Sequence, residues 1–514
     1  MHKPMSIATH SHLGGDPDSL SARQAALPLA IGGAGLFLQA LTYLNHDVAW
    51  VLVSSGWLLS GKQFGTDIVA ANPPFIWWFS AGPMALSQWI GISPQTSLRL
   101  VIGFMILCSL ISVNILLRAA GEPANTRAWL LAVAAFVLTI GAGRDFGQRE
   151  QLTVILLLPY LTAIGVRSRK KDLPWIIGFL IGAFAGFGVV FKPYFLMAVI
   201  PVELYLLWKR RAFAMIVRPE AIGAILAVSL CGVSLYIFAS PWLTVVLPEI
   251  AKTYWGFSND MLDVLIEYFP IMILILVAAG LSLRPDRPNE TAIYLLAAAG
   301  FLVSAIWQAK GYSYHGYPAL ALGTLSIVIA VTSDPATNRI AELLRTCVLA
   351  TLIGVSLVGI YKRTDAGPVG KHIRQMSEFI ETNVPEDGGF FALSTHPFPG
   401  FPSALYAHRT WVSASNSAVF LPSVVRLMLA PESQHEASLA HAQEKALTAA
   451  KRDLARKPDI ILVDVRPHRH AINDITFDFL DFYTRDAGFR QLWSNYEEIG
   501  GAPSGFRAYR IKDG

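Results

Sequence analysis

Charge is scarce in this chain: Asp, Glu, Lys and Arg supply 15% of its 514 residues, against 53% for the apolar and aromatic set. A soluble protein carries about a quarter of its residues as charges, so a wholly water-soluble body is excluded. Cysteine is scarcer still. Cys108, Cys231 and Cys347 all fall inside or at the edge of apolar runs, which leaves none for a disulfide in the polar C-terminal part and excludes a disulfide-stapled domain there. That part also lacks a nucleophile elbow, a phosphate-cradling glycine loop and metal-ligand spacing. No internal repeat is evident, and low complexity is confined to the polar N-terminus. Residues 1–26 carry no signal-peptide pattern, so the first apolar run is expected to stay as a span.

What the chain has in quantity is long apolar runs. Its mean hydropathy is +0.46, and runs of roughly 16–22 apolar residues, the length that crosses hydrocarbon, are bounded by charges or Pro/Gly turns. Backbone groups in lipid must be satisfied within the segment, so these runs are expected to be helices. About eleven spans are predicted, at residues 27–44, 98–117, 128–142, 151–166, 174–190, 194–208, 220–239, 264–282, 291–308, 318–333 and 341–360. The expected division is a polar cytoplasmic N-terminus (1–26), a transmembrane domain (27–361) and a soluble domain (362–514). The net charge of +5 is scattered over loops, so no nucleic-acid partner is expected.

Orientation follows from the short loops. With the N-terminus inside, the cytoplasmic loops hold Arg118 and Arg127, the run Arg167 to Lys171, Lys209 to Arg211, Arg284 with Arg287, and Arg339. This is a positive-inside pattern. It places the C-terminal domain outside, in the periplasm of a bacterium whose inner membrane holds the spans. Residues 73–92 are apolar enough to span, but counting them would invert every later loop. They are read as an interfacial helix on the outer face, with Trp77, Trp78 and Trp89 at headgroup level.

The outer face then collects the unusual residues. Its first loop, residues 45–97, is the longest of the membrane half. The next loop reads Gly143-Arg144-Asp145-Phe146-Gly147-Gln148-Arg149-Glu150. Further outer turns contain Lys192-Pro193 and Lys310-Gly311-Tyr312-Ser313-Tyr314-His315. Cations held at the outer boundary are costly unless paired or used. Together these groups form a cationic, Tyr-rich rim suited to a lipid-linked phosphate.

The layout resembles a known family. An outer loop opening on Asn45-His46-Asp47 is followed by an amphipathic stretch, then by Phe64-Gly65-Thr66-Asp67-Ile68-Val69-Ala70-Ala71-Asn72-Pro73-Pro74-Phe75 and an aromatic helix. This is similar to the GT-C glycosyltransferases that use polyprenyl-phosphate sugars, and in layout to the family 39/83 group of protein O-mannosyltransferases and lipid A aminoarabinose transferases. An acidic residue in the second outer loop, the Lys-Pro turn and a periplasmic C-terminal domain also fit. The resemblance covers the membrane half by layout and the first 150 residues by motif. Two departures stand out: Asp47-Val48 replaces a common acidic pair, and Asn72 stands where the aminoarabinose transferases have lysine. Donor sugar and acceptor are therefore not carried over.

The resemblance implies an inverting transferase that moves a sugar from a polyprenyl-phosphate donor to a hydroxyl of a glycan, lipid or protein acceptor. Asp47 is then the base, and Asp145 orients the acceptor or supports Asp47. The chemistry agrees, since a phosphate leaving group needs a base and cations rather than a second carboxylic acid. Candidates for the phosphate and sugar are Arg144, Arg149, Glu150, Lys192, Lys310, Tyr312, Tyr314, His315 and Asn72. No metal ligand set is expected and no cofactor is assigned, a divalent cation being left open.

Each residue has a plainer reading. Asp47 can cap the helix that follows, and Asp67 can close a turn. The Arg144–Glu150 charges can pair among themselves, Lys192 can snorkel, and His315 can be structural. The soluble domain reads as α/β, with strands at 390–394, 410–413, 460–465 and 506–511 and helices at 369–382 and 432–456. Its Arg466-Pro467-His468-Arg469-His470 run reads as a solvated loop. Its expected role is acceptor binding or shaping the entrance to the membrane site. Two other classes stay open: a transporter of a lipid-linked glycan, which should show matched halves, and a non-catalytic partner in envelope polysaccharide assembly.

Overall fold

The computed structural model describes residues 20–282, 288–332, 339–430 and 436–512. Up to Lys362 the described chain forms fourteen α-helices. They are α1 (Ala22–Ala40), α2 (His46–Leu59), α3 (Phe75–Ile90), α4 (Pro94–Ala120), α5 (Ala124–Leu138), α6 (Arg149–Ser168), α7 (Trp175–Val190), α8 (Leu196–Arg210), α9 (Pro219–Phe238), α10 (Leu247–Thr253), α11 (Met261–Ser282), α12 (Asn289–Trp307), α13 (Ser313–Thr332) and α14 (Arg339–Lys362). Every expected span falls on one of them, but only seven (α4, α6, α9 and α11 to α14) are long and apolar enough to cross a membrane. Helices α5 and α7 are apolar but have only 15 and 16 residues. Helix α8, also of 15 residues, carries Glu203, Lys209 and Arg210, and α1 is diluted by Arg23, Gln24 and Gln39. Arg284, Arg287 and residues 1–19, 333 and 432–435 of the sequence reading lie outside the described residues.

Burial sorts the helices. In α9 and α14 apolar side chains face outward, with Tyr236, Phe238 and Val355 exposed. That surface is stable only against lipid tails, since water would charge about 25 cal/mol for each Å². In contrast, α6 is buried along its length, so the other helices pack around it. At about 1.5 Å per residue it runs roughly 30 Å, and each of its ends carries a polar cluster.

The C-terminal end of α6 carries ion pairs, most of them buried, with Asp172 exposed. Arg167 meets Glu220 at 3.1 Å and Asp172 at 2.8 Å, and Arg169 pairs with Glu122 and Glu290. Arg218 meets Glu203 at 2.6 Å and Glu220 at 3.6 Å. Glycines let the backbones close here. A Cβ on Gly182 of α7 would lie 1.9 Å from the Glu220 carbonyl oxygen of α9, and one on Gly223 would lie 2.1 Å from that of Phe179. Such small-residue seams drive helix association where no hydrophobic effect operates. Glu220 is fully buried between Arg167 and Arg218. Glu220→Ala removes one of the two carboxylate partners of each cation and is therefore expected to cost about 1.5–3 kcal/mol, seen as a lowered unfolding midpoint in detergent.

Helix α3 corrects one expectation. Trp89 is exposed, but Trp77 is not at a surface: it is 1% exposed and its indole N–H donates to Ser54 Oγ at 2.7 Å. Its ring meets Phe64 edge-on, so α3 is clamped to α2 through Trp77.

Beyond Lys362 come α15 (Pro368–Asn383), α16 (Ser403–Ala407), α17 (Leu421–Met428), α18 (Glu436–Ala455), α19 (Phe479–Thr484) and α20 (Ala487–Trp493), around a mixed sheet. Its strands are β1 (Gly389–Leu393), β2 (Thr410–Trp411), β3 (Ile460–Asp464), β4 (Tyr496–Ile499) and β5 (Phe506–Ile511), in the order β2-β1-β3-β5-β4. Strand β1 runs parallel to β2 and β3, while β5 is antiparallel to β3 and β4. Side chains alternate between two cores, as a strand's two-residue period requires. Phe391, Leu393, Ile461 and Val463 pack with α17 and α18. Phe390, Ala392, Ile460 and Leu462 belong instead to the core continuous with the membrane helices. Phe401 against Trp50 and Tyr406 against Tyr43 join the two parts.

Candidate active site

At the N-terminal end of α6, opposite the ion pairs, lies a cavity of about 340 Å³. Its wall comes from the starts of α2 and α3, the turn before α6, the turn before α13, Arg363 after α14, and loops of the C-terminal sheet. Of the residues singled out by sequence, Asp47, Asn72, Arg144, Asp145, Arg149, Tyr312 and Tyr314 line it. Glu150, Lys192, Lys310 and His315 are not among the lining residues.

Asp47 does not cap its helix. Asn45 is the N-cap of α2, and its side chain accepts the Asp47 N–H at 2.9 Å. The Asp47 carboxylate is left in the first turn, facing the cavity. Its nearest polar partners are distant: Gln148 Nε2 at 3.5 Å from Oδ2 and His46 Nε2 at 3.9 Å from Oδ1. His46 is no counter-ion, because burial, with Arg363 nearby, lowers its pKa to about 3. Asp67, the other acid of that loop, accepts the Gln63 N–H and closes a turn.

The turn before α6 sets two more groups. Gly147 sits at φ +87°, a region open to glycine, and a Cβ there would meet Val48 at 3.0 Å. Its N–H donates to Gln151 Oε1 at 2.6 Å. Arg144 Nε donates to Ser313 Oγ at 3.1 Å, and that hydroxyl lies 3.3 Å from Asp145 Oδ2. Burial lifts the Asp145 pKa to about 6 despite Arg144. Between about pH 4 and about pH 6 the folded chain therefore holds a proton that the unfolded chain has released, and stability falls as pH rises through that window. Asp145→Asn is expected to remove this fall from a plot of unfolding midpoint against pH.

Of the arginines that line the cavity, Arg144, Arg149 and Arg363, Arg149 is the one whose side chain has no partner among the described residues. It is 6% exposed, yet its guanidinium makes no hydrogen bond or ion pair with any described residue, and its Nε is buried without a partner. The plainer reading, in which Arg149 pairs with Glu150, is not what the structure has. Glu150 turns away and accepts from Lys192 Nζ at 2.5 Å. Lys192 also reaches His315 Nε2 at 2.8 Å and Gln308 Oε1 at 3.2 Å. An ammonium has three N–H donors and all three are taken within the protein, away from the cavity lining. Burial lowers its pKa to about 8, against the pull of Glu150. Lys310 donates to the Tyr254 carbonyl at 3.1 Å and lies 4.2 Å above the Tyr254 ring, its pKa lowered by burial to about 7.

The C-terminal part adds residues that sequence reasoning left unassigned. Thr395, His396, Asn416, Ser417 and His470 line the cavity. The His396 ring lies 4.5 Å from that of His46 and 5.2 Å from that of His470. Tyr312 Oη and His470 Nε2 are 3.1 Å apart. The loop read as solvated thus brings His470 into the site, while His468 stays exposed against Asp474. Burial lowers the His470 pKa to about 4. Among the described residues, no three His, Cys, Asp or Glu side chains are disposed to share a metal ion.

No protein family and no curated protein matches the sequence detectably. Among solved structures the chain is similar to the arabinofuranosyltransferase AftD from mycobacteria, determined by single-particle cryo-EM. That alignment has a TM-score of 0.49 at 14% identity and covers 97% of this chain and 40% of AftD. Two classes of a mutant AftD give TM-scores of 0.47 and 0.44, again at 14% identity, over 97% of this chain and 42% of theirs. The chain spans less than half the length of those structures.

Proposed function

We propose that the chain is a GT-C membrane glycosyltransferase of the family 39/83 type. On this reading it spans the membrane eleven times, keeps its N-terminus in the cytoplasm and faces the periplasm with its C-terminal domain. It moves a sugar from a polyprenyl-phosphate donor to an acceptor hydroxyl. One observation carries the reading: a carboxylate without a cationic partner, Asp47, and a buried guanidinium without an anionic partner, Arg149, line the same cavity at the helix ends.

Asp47 takes the proton from the acceptor hydroxyl as its oxygen attacks the anomeric carbon. The bond from that carbon to the phosphate oxygen breaks, and the electron pair leaves on the polyprenyl phosphate. Arg149 and the N-terminus of α6 meet the charge that develops there. Attack from the face opposite the phosphate inverts the anomeric centre. Val48, Val51, Ile76, Trp77 and Leu98 line the cavity beside these groups and offer an apolar wall to the first isoprene units.

Native mass spectrometry of the purified chain tests the donor class. The expected adduct is a polyprenyl phosphate or its glycoside, lost on Arg149→Gln. Recovery of bulk phospholipids alone contradicts the reading.

A further inference from the structure

We propose that Lys192 serves the donor site without touching the donor: by holding Glu150 it keeps Arg149 free for the lipid phosphate. This rests on the donor-site reading and adds to it the device that keeps the site open.

Arg149 and Glu150 are neighbours in the first turn of α6, one lining the cavity and the other not. The Glu150 carboxylate lies within electrostatic reach of the Arg149 guanidinium, and a direct pair between them would cancel the charge that the phosphate needs. The structure avoids this by giving Glu150 another cation. Lys192 arrives from the turn between α7 and α8 and places Nζ 2.5 Å from Glu150 Oε1, both groups being buried. Its other two donors are fixed by His315 at 2.8 Å and Gln308 at 3.2 Å, and the Tyr314 ring lies 5.3 Å from Nζ. The lysine is thereby held in place and has no donor left over. Glu150 Oε2 has no hydrogen-bond partner among the described residues. Removing Lys192 would leave a buried carboxylate uncompensated, a costly state that turning toward Arg149 relieves. Lys192 is thus a positioning residue.

The test measures binding of undecaprenyl monophosphate to the full chain in nanodiscs. Lys192→Met is expected to weaken binding about tenfold or more, the scale of one charge-assisted contact. Glu150→Gln alone should bind no more weakly than wild type. The neutral pair Lys192→Met with Glu150→Gln should return to wild-type affinity, because Arg149 is again without a competitor. This double variant buries no unpaired charge at the position, so it carries the test even if Lys192→Met alone does not fold. A double variant that binds weakly makes Lys192 a direct ligand and overturns the proposal, as does unimpaired binding by Lys192→Met. Wild type that does not bind the lipid at all overturns instead the donor-site reading on which the proposal rests.

Discussion

Asp47→Asn is expected to lower sugar transfer by about 10²–10⁴-fold, the usual contribution of a positioned general base, while binding of polyprenyl phosphate stays unchanged. The amide keeps the size of the carboxylate and its place in the first turn of α2, where Asn45 and not Asp47 supplies the cap. A loss of activity therefore does not arise from an unravelled helix. Asp47 makes no close hydrogen bond beyond the 3.5 Å approach of Gln148, so the substitution leaves no stranded donor. Equal transfer by the variant would remove Asp47 from the chemistry. A fall in lipid affinity of the same size as the fall in transfer would move it to the binding site.

Arg149→Gln should weaken polyprenyl phosphate by about 10–150-fold, since a hydrogen bond to a charged group contributes about 1.5–3 kcal/mol. Arg149→Lys should recover part of this, keeping the charge but not the planar fork that grips a phosphate with two donors. Stability should change little. Burial of the guanidinium is offset by the nearby charges of Glu150 and Asp47, so Arg149→Gln is expected to leave the unfolding midpoint nearly unchanged. Weaker binding together with undiminished stability distinguishes a functional charge from a structural one. If Arg149→Gln instead unfolds the chain, the side chain holds the helix ends together and the phosphate assignment fails.

Much of the fold was legible because lipid leaves the chain few options. An apolar run of spanning length has to be helical, and each of the eleven runs falls on a helix. Four of the five strands were legible from β-branched and aromatic runs. The missed one, β4, reads Tyr-Glu-Glu-Ile, an edge strand with its glutamates exposed, which breaks the apolar pattern. Trp77 departs from the headgroup position that an indole in an interfacial helix suggests, because its N–H finds Ser54 in the protein interior.

The candidate site was legible only in part. Asp47, Asn72, Arg144, Asp145, Arg149, Tyr312 and Tyr314 line one cavity. What a list of charges does not reveal is which charge is spent on which. Lys192 and Arg149 look equivalent as outer-face cations, yet Glu150 takes the first and leaves the second. Nor does the sequence signal that His396 and His470 stand beside His46, across more than three hundred residues of chain. The basic run around His470 looks solvated when read locally. Only the packing of loops of the C-terminal part against the start of α2 and the turn before α13 brings the two histidines in.

The central claim is that this cavity transfers a sugar. It is tested most directly by supplying the purified chain, in liposomes, with polyprenyl-phosphate sugars labelled in the sugar, together with an envelope extract as acceptor. The account predicts that one donor is consumed, that free polyprenyl phosphate appears in step with a labelled product of inverted anomeric configuration, and that Asp47→Asn stops both. Movement of an intact lipid-linked sugar across the bilayer, with its linkage to phosphate unbroken in wild type and variant alike, would contradict it.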